Sequence, residues 1–362
     1  MGIERKSKES EIRIMWERKK NKKRNRKRNK DRKKEIRKEQ RKQIRKKVLH
    51  HPESVRGKWM RELIQDITST SSGHKFQNGE YRKEPKEPEW LCPVRYQVQN
   101  LKMEQFSMEY LQPKKLTNKR VILQLHGGGY IGPIKNRYRD FAVLYSKALK
   151  GGSVLTIDYR IAPEYVFPAA LEDAFEAYEW LLLQGYSDRQ IFLAGDSAGG
   201  GLALALCHYR KDKKKSLPGG LILMSPWTDL TGSGESYQTN YHKDPLFGNT
   251  EDSIIKNLDY VGDADPKNPY ISPLFGEFSG FPPTLIQVGS YEMLLSDSEQ
   301  VAQKIKAQHG KVRLSVYEGM FHVFQMAGVL LPESKEAWKE IVRYLDIMQK
   351  REEKETYGTK EV

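Results

Sequence analysis

Gly195-Asp196-Ser197-Ala198-Gly199 sits between an apolar run at 191–194 and a small-residue stretch of helical character at 197–208. A serine flanked this way demands a sharp turn from strand to helix. Small neighbours permit the turn, the serine hydroxyl is lifted to the end of the strand, and the helix amides behind it face any developing negative charge. Such a turn needs a parallel sheet to carry it, and the remaining pattern supplies one. Short apolar runs at 121–125, 154–157, 221–224, 284–288 and 313–317 alternate with helical patterns at 170–184, 296–308 and 333–350. That alternation predicts a mainly parallel central sheet with crossover helices, an α/β architecture. Residues 227–282 break the pattern. They are rich in Gly, Asn, Asp and Pro, and read as an insertion over the carboxyl edge of the sheet.

His126-Gly127-Gly128-Gly129 follows the run at 121–125. Consecutive glycines bring bare amides close to a ligand, so the amides of Gly128 and Gly129, with that of Ala198, are candidates to receive an oxyanion. His126 reads as a residue that holds this loop. Serine is a weak nucleophile and needs a base beside it. Of the eight histidines, His322 alone follows a late strand on a turn, Gly319-Met320-Phe321-His322, where the order serine, acid, histidine requires the base. The acid is expected just beyond 284–288, and two carboxylates stand there. Glu292 lies in the loop four residues past the run. Asp297 is the alternative acid, although its place in the first turn of the next helix is also explained by capping and the macrodipole.

The charge of the chain is unevenly placed. The formal net charge is +16 over 362 residues. Residues 1–50 hold 24 Lys and Arg against 7 Asp and Glu, a net of +17, which leaves the rest at −1. From 19 to 47 only Ile36 and Ile44 are apolar. Residues 1–48 therefore read as a solvated arm, disordered or helical, able to meet nucleic acid or another anionic surface. Downstream, Trp59, Met60, Leu63, Ile64 and Ile67 suit one amphipathic helix, followed by a Ser/Gly/Asn-rich linker at 69–79. Cys92 and Cys207 are the only cysteines, too few for a disulfide framework and without zinc spacing. No apolar run approaches the roughly 18–20 residues that span a bilayer, and no apolar stretch of signal-peptide type follows the basic start. The expectation is a cytoplasmic protein whose oligomeric state the sequence does not state.

Four blocks in order, His126–Tyr130, Asp158-Tyr-Arg-Ile-Ala-Pro-Glu164, Gly195–Gly200 and Gly319-Met-Phe-His-Val323, resemble the hormone-sensitive-lipase-like esterases of the α/β-hydrolase fold. The resemblance covers about 94–348. Trp59, Met60, Trp227, Tyr237 and Phe247 are candidates for an apolar wall, which makes short- to medium-chain acyl esters the expected substrates. The resemblance implies a serine carboxylesterase that uses Ser197, His322 and an acid, with no cofactor. It also implies a helical lid built from N-terminal helices at 49–93 together with the insertion at 227–282, over a catalytic domain at 94–350 and a flexible tail at 351–362. The usual acid block resembles Asp-Pro-Leu-x-Asp, whereas this chain reads Glu292-Met-Leu-Leu-Ser-Asp297, and alignment on Leu294 places the acid at Glu292. The basic arm has no counterpart in the family pattern. Amide deacetylation by the same residues is the alternative activity. A non-catalytic ligand-binding protein on this fold is a remoter one, since such proteins lack the histidine present here at 322.

Overall fold

The structure, a computed structural model, describes residues 48–83 and 87–358. A nine-stranded sheet forms its centre. In chain order the strands are β1 (Val48–His51), β2 (Tyr96–Lys102), β3 (Ser107–Pro113), β4 (Val121–Leu125), β5 (Ser153–Asp158), β6 (Ile191–Asp196), β7 (Gly220–Met224), β8 (Thr284–Gly289) and β9 (Val312–Tyr317). Across the sheet the order is β1-β9-β8-β7-β6-β4-β5-β3-β2. From β9 to β5 every pairing is parallel, while β3 joins β5 and β2 joins β3 antiparallel. Strands β4, β6, β7 and β8 are buried at every position. Helices cover both faces there, which is why these strands read as continuous apolar runs and not as alternation.

On one face, α4 (Asn136–Ala148) and α9 (Pro332–Gly358) seal the core through Phe141, Tyr145, Ile341 and Leu345, packed against Ile122, Val154, Phe192 and Ile222. The other face carries α5 (Ala169–Leu183), α6 (Ser197–Asp212) and α8 (Leu295–Ala307). Helix α6 is buried along nearly its whole length, and its Gly/Ala/Leu composition is what lets it approach the sheet so closely. Helix α9 continues to Gly358, past residue 350 where a flexible tail was expected, because its Lys/Glu/Arg-rich end propagates helix readily.

Three other expectations shift. Residues 69–79 are not a linker: α2 (Ser71–Gln77) forms there, capped by Thr70, whose hydroxyl accepts from Gly73 N at 3.1 Å, and the short α3 (Glu80–Lys83) follows. Gln77 then donates to Gly248 O at 3.1 Å, so tertiary contact overrides the composition. In α1 (Val55–Thr68), Met60 and Ile64 pack inward beside Tyr317, Met320 and Phe321, but Trp59, Leu63 and Ile67 point to solvent. Finally, 227–282 folds mainly as turns. It holds α7 (Ser236–Thr239) and 3-10 turns at Ile254–Lys256 and Pro273–Phe275, with no longer helix. The basic arm expected at 1–48 lies outside the described residues except for Val48, which opens β1. Among the described residues no helix is long and apolar enough to cross a membrane.

His208, in α6, gives the fold a pH dependence. Its Nε2 meets Pro273 O at 3.1 Å and its ring packs on Phe278 and Phe281. Burial pushes its pKa down to about 4 from 6.5. The unfolded chain therefore takes up a proton that the native state refuses. Stability is full above pH 6.5 and is lost as pH falls towards 4, by up to about 3 kcal/mol. Thermal melts from pH 7 to 4 should show this slope, and His208→Gln should flatten it. Parallel slopes for the two proteins would assign the acid sensitivity elsewhere.

Candidate active site

The loops that leave the carboxyl ends of β4, β6, β7, β8 and β9 converge, because those five strands are parallel neighbours. Ser197 stands at the junction of β6 and α6 with φ +52, in the left-handed region. Its flanking glycines are steric requirements. A Cβ on Gly195 would drive into the carbonyl of Gly199, and one on Gly199 into the carbonyls of Leu125 and His126. Ser197 is buried to 6% exposure at the start of a 16-residue helix, where free amides and the macrodipole favour negative charge. Trp227 N donates to Ser197 O at 2.8 Å, which ties the turn to the loop after β7.

Glu292 and His322 come from the adjacent loops after β8 and β9. The Glu292 side chain is fully buried, and its Oε2 lies 2.9 Å from His322 Nδ1. Its other oxygen, Oε1, accepts from Ser225 Oγ at 2.7 Å and from Gly289 N at 2.5 Å. Three hydrogen bonds thus fix a buried carboxylate against the imidazole. Ser225 also accepts from Val323 N at 3.1 Å, so one hydroxyl grips both the acid and the residue after the histidine.

Gly128 and Gly129 both have positive φ, 124 and 64, in the loop after β4. His126 holds that loop from within. It is fully buried, its Nδ1 lies 2.8 Å from Gly127 O, and its ring stacks on Tyr159 at 4.1 Å. Asp196, inside the nucleophile turn, accepts from Gly127 N and from the Tyr138 hydroxyl, each at 3.1 Å. The serine turn and the glycine loop are therefore locked to each other.

A profile described as the alpha/beta hydrolase fold matches residues 122–326, more than half of the chain. The chain belongs to that family. An esterase of Acinetobacter venetianus is 38% identical over 226 residues, 62% of this hydrolase and 74% of the relative. An acetyl-hydrolase of Streptomyces hygroscopicus is 37% identical over 63% of this chain and 76% of its own. Among solved structures, an esterase/lipase from an uncultured bacterium superposes with a TM-score of 0.72 at 33% identity, covering 82% of this chain and 98% of the other. An esterase of the bacterial hormone-sensitive lipase family gives 0.69 at 33%, with 81% and 98% covered. The hydrolase is thus hormone-sensitive-lipase-like, as its four sequence blocks implied.

Asp297 of the hydrolase is engaged elsewhere than at His322. It lies in the first turn of α8, but instead of capping its own helix its Oδ2 accepts from Thr228 N at 2.7 Å, Asp229 N at 2.9 Å and Thr228 Oγ1 at 3.3 Å. Burial pushes its pKa up to about 8. The suggestion of a macrodipole residue misses this, because a first-turn acid looks the same in sequence whichever backbone it binds. Of the five aromatic or apolar residues considered for a substrate wall (Trp59, Met60, Trp227, Tyr237 and Phe247), Trp59 is exposed and Met60 packs in the α1 core. Tyr237 donates its hydroxyl to Asp229 O at 3.2 Å, and Trp227 is buried. Phe247 lies with its ring 4.6 Å from the His322 ring. The sequence does not single out Ser225, nor the role of Asp196 within the Gly195–Gly199 block. Each is a short polar residue at a strand end, where a turn accounts for it equally well.

Proposed function

We propose that this hydrolase cleaves carboxylic esters by covalent catalysis at Ser197, with His322 as base, Glu292 as its acid and the amides of Gly128, Gly129 and Ala198 as the oxyanion hole. The observation that carries the reading is the Glu292–His322 pair, buried and 2.9 Å apart, on the strand-end loops beside the Ser197 turn. With Glu292 accepting from Nδ1–H, the imidazole keeps the lone pair on Nε2. Nε2 then takes the proton of Ser197 as Oγ attacks the acyl carbon. The carbonyl electrons move to oxygen and are met by the three amides. Collapse breaks the bond to the alcohol oxygen, which leaves with the proton from Nε2. Water repeats the sequence on the acyl-enzyme and frees the acid.

A fluorophosphonate probe tests this directly: it should label Ser197 alone and abolish hydrolysis of p-nitrophenyl butyrate. Labelling of a different serine would sink the assignment. Short- to medium-chain acyl groups are proposed as substrates, supported by a site set among buried residues, so a soluble butyrate ester should outpace an emulsified long-chain triglyceride. The Streptomyces relative is named an acetyl-hydrolase, which makes deacetylation of an amine the second reading. Comparing p-nitroacetanilide with p-nitrophenyl acetate decides between them.

The basic segment, net +17 over residues 1–50, is proposed to meet a nucleic acid or another anionic surface and to leave the chemistry alone. Because Val48–His51 forms β1, the chain should be cut before Val48. A protein starting at Val48 should keep kcat on a soluble ester and lose salt-sensitive retention on heparin. Retention equal to that of the full chain would overturn the role.

A further inference from the structure

The segment at 236–247, expected to be part of a lid, is stitched to the loop that carries Glu292. Ser236 Oγ donates to Met293 O at 2.5 Å and accepts from Ser296 N at 2.9 Å. Asn240 Nδ2 donates to Ser290 O at 3.0 Å and to Glu292 O at 2.8 Å. Asp244 is the knot. Its Oδ2 accepts from Met293 N at 2.8 Å, beside Glu292, while Oδ1 accepts from Leu246 N at 2.9 Å and Phe247 N at 3.0 Å. Asp244 is 1% exposed and its bonds from Met293 N and Phe247 N are buried, so those two amides have no water as a ready substitute. A segment bound this way is a fixed wall. Phe247 ends it, 4% exposed, with its ring 4.6 Å from the imidazole of His322 and tilted by 56°.

Chemistry assigns that wall a side of the substrate. In the reaction proposed above, on which this inference rests, His322 hands its proton to the oxygen of the departing alcohol. Whatever packs on the imidazole therefore borders the alcohol half of the ester, whereas the acyl oxygen is held across the site at the glycine loop. We infer that Phe247 sets the size of alcohol the hydrolase accepts, and that Asp244 is a positioning residue that holds Phe247 and the Glu292 loop in one register.

The test varies the two halves of the ester separately. Methyl, butyl and benzyl acetate probe the alcohol; p-nitrophenyl acetate, butyrate and hexanoate probe the acyl group. Intrinsic reactivity cancels when each ratio of kcat/KM is compared between wild type and variant. Phe247→Ala should raise the benzyl-to-methyl ratio about tenfold or more, the scale on which an apolar pocket discriminates size, and leave the hexanoate-to-acetate ratio within about twofold. Phe247→Leu and Phe247→Trp should move the alcohol ratio in opposite directions, which keeps the test open if the alanine variant does not fold. Asp244→Asn keeps the shape but loses one carboxylate acceptor, and should relax the alcohol ratio in the same sense as Phe247→Ala. A shift in the acyl ratio instead, or in neither, overturns the role of Phe247. An Asp244→Asn protein that is slower on all six esters by one common factor overturns the role of Asp244. If the wild type cleaves no ester, or the probe labels another serine, the catalytic reading itself has failed, and that outcome is separate from a selective enzyme whose ratios do not move.

Discussion

Replacing Ser197 by alanine is expected to lower kcat on a soluble ester by about 10⁴- to 10⁶-fold, with the thermal midpoint almost unchanged. The alanine cannot form the acyl bond, and what survives is the contribution of the amides and of binding. Stability should hold because the turn is built by Gly195 and Gly199 against the carbonyls of Gly199, Leu125 and His126, not by the serine hydroxyl. Alanine at φ +52 has the same backbone cost as serine. A melt beside the rate measurement separates the two effects. Activity near wild type in a folded Ser197→Ala protein would remove the nucleophile from the mechanism.

Glu292→Gln should cost about 10⁴ in kcat. The amide can still fill the space between Ser225, Gly289 and His322, but it no longer accepts at both positions. It also stops compensating the imidazolium that forms when Nε2 takes the serine proton. Asp297→Asn makes the contrast. Its partners are the Thr228 and Asp229 amides, so kcat should stay within about tenfold of wild type, and the change should appear in stability and its pH dependence. The folded-state pKa of Asp297 is raised by burial from 3.8 to about 8. The native state therefore holds a proton that the unfolded chain releases above pH 4. The stability this lends is full below about pH 4 and is lost as pH rises towards 8. Asp297→Asn has no such loss, so its midpoint should gain on that of wild type between pH 4 and 8. A collapse of turnover in Asp297→Asn with Glu292→Gln nearly unaffected would exchange the two carboxylates.

What could be read from residues alone divides along physical lines. The parallel strands were legible because both their faces are covered, so burial leaves an unbroken apolar run such as 121–125. β2 and β3, and the edge strand β1, were not. At Tyr96–Lys102 the strand is part exposed and mostly polar, and Val48–His51 is only four residues long. Ser197, His322 and the glycine loop announce themselves because steric rules confine them to particular residue types at particular strand ends. Asp244 and Ser225 do not. Each binds a backbone amide more than forty residues away, Met293 N and Val323 N, and a backbone amide leaves no trace in the identity of the residue that owns it. The same blindness applies to α1: its spacing marks it as two-faced, but not which apolar stripe turns inward.

The pairing of β1 with β9 has a consequence for the order of synthesis. Glu318 N donates to His51 O at 2.9 Å, the His51 ring stacks on Tyr317 at 4.1 Å, and Ser54 N reaches Glu333 Oε1 across 279 residues. The first described strand and the start of α1 therefore lack these partners while the ribosome makes nearly everything that lies between. They dock only when β9 and the beginning of α9 have emerged, and in docking they close against the turn that leads to His322. The sheet acquires its last strand from the segment made before all its other strands. Long-range closure of this kind is slow, and it makes completion of the base-bearing loop one of the final events in the maturation of the molecule.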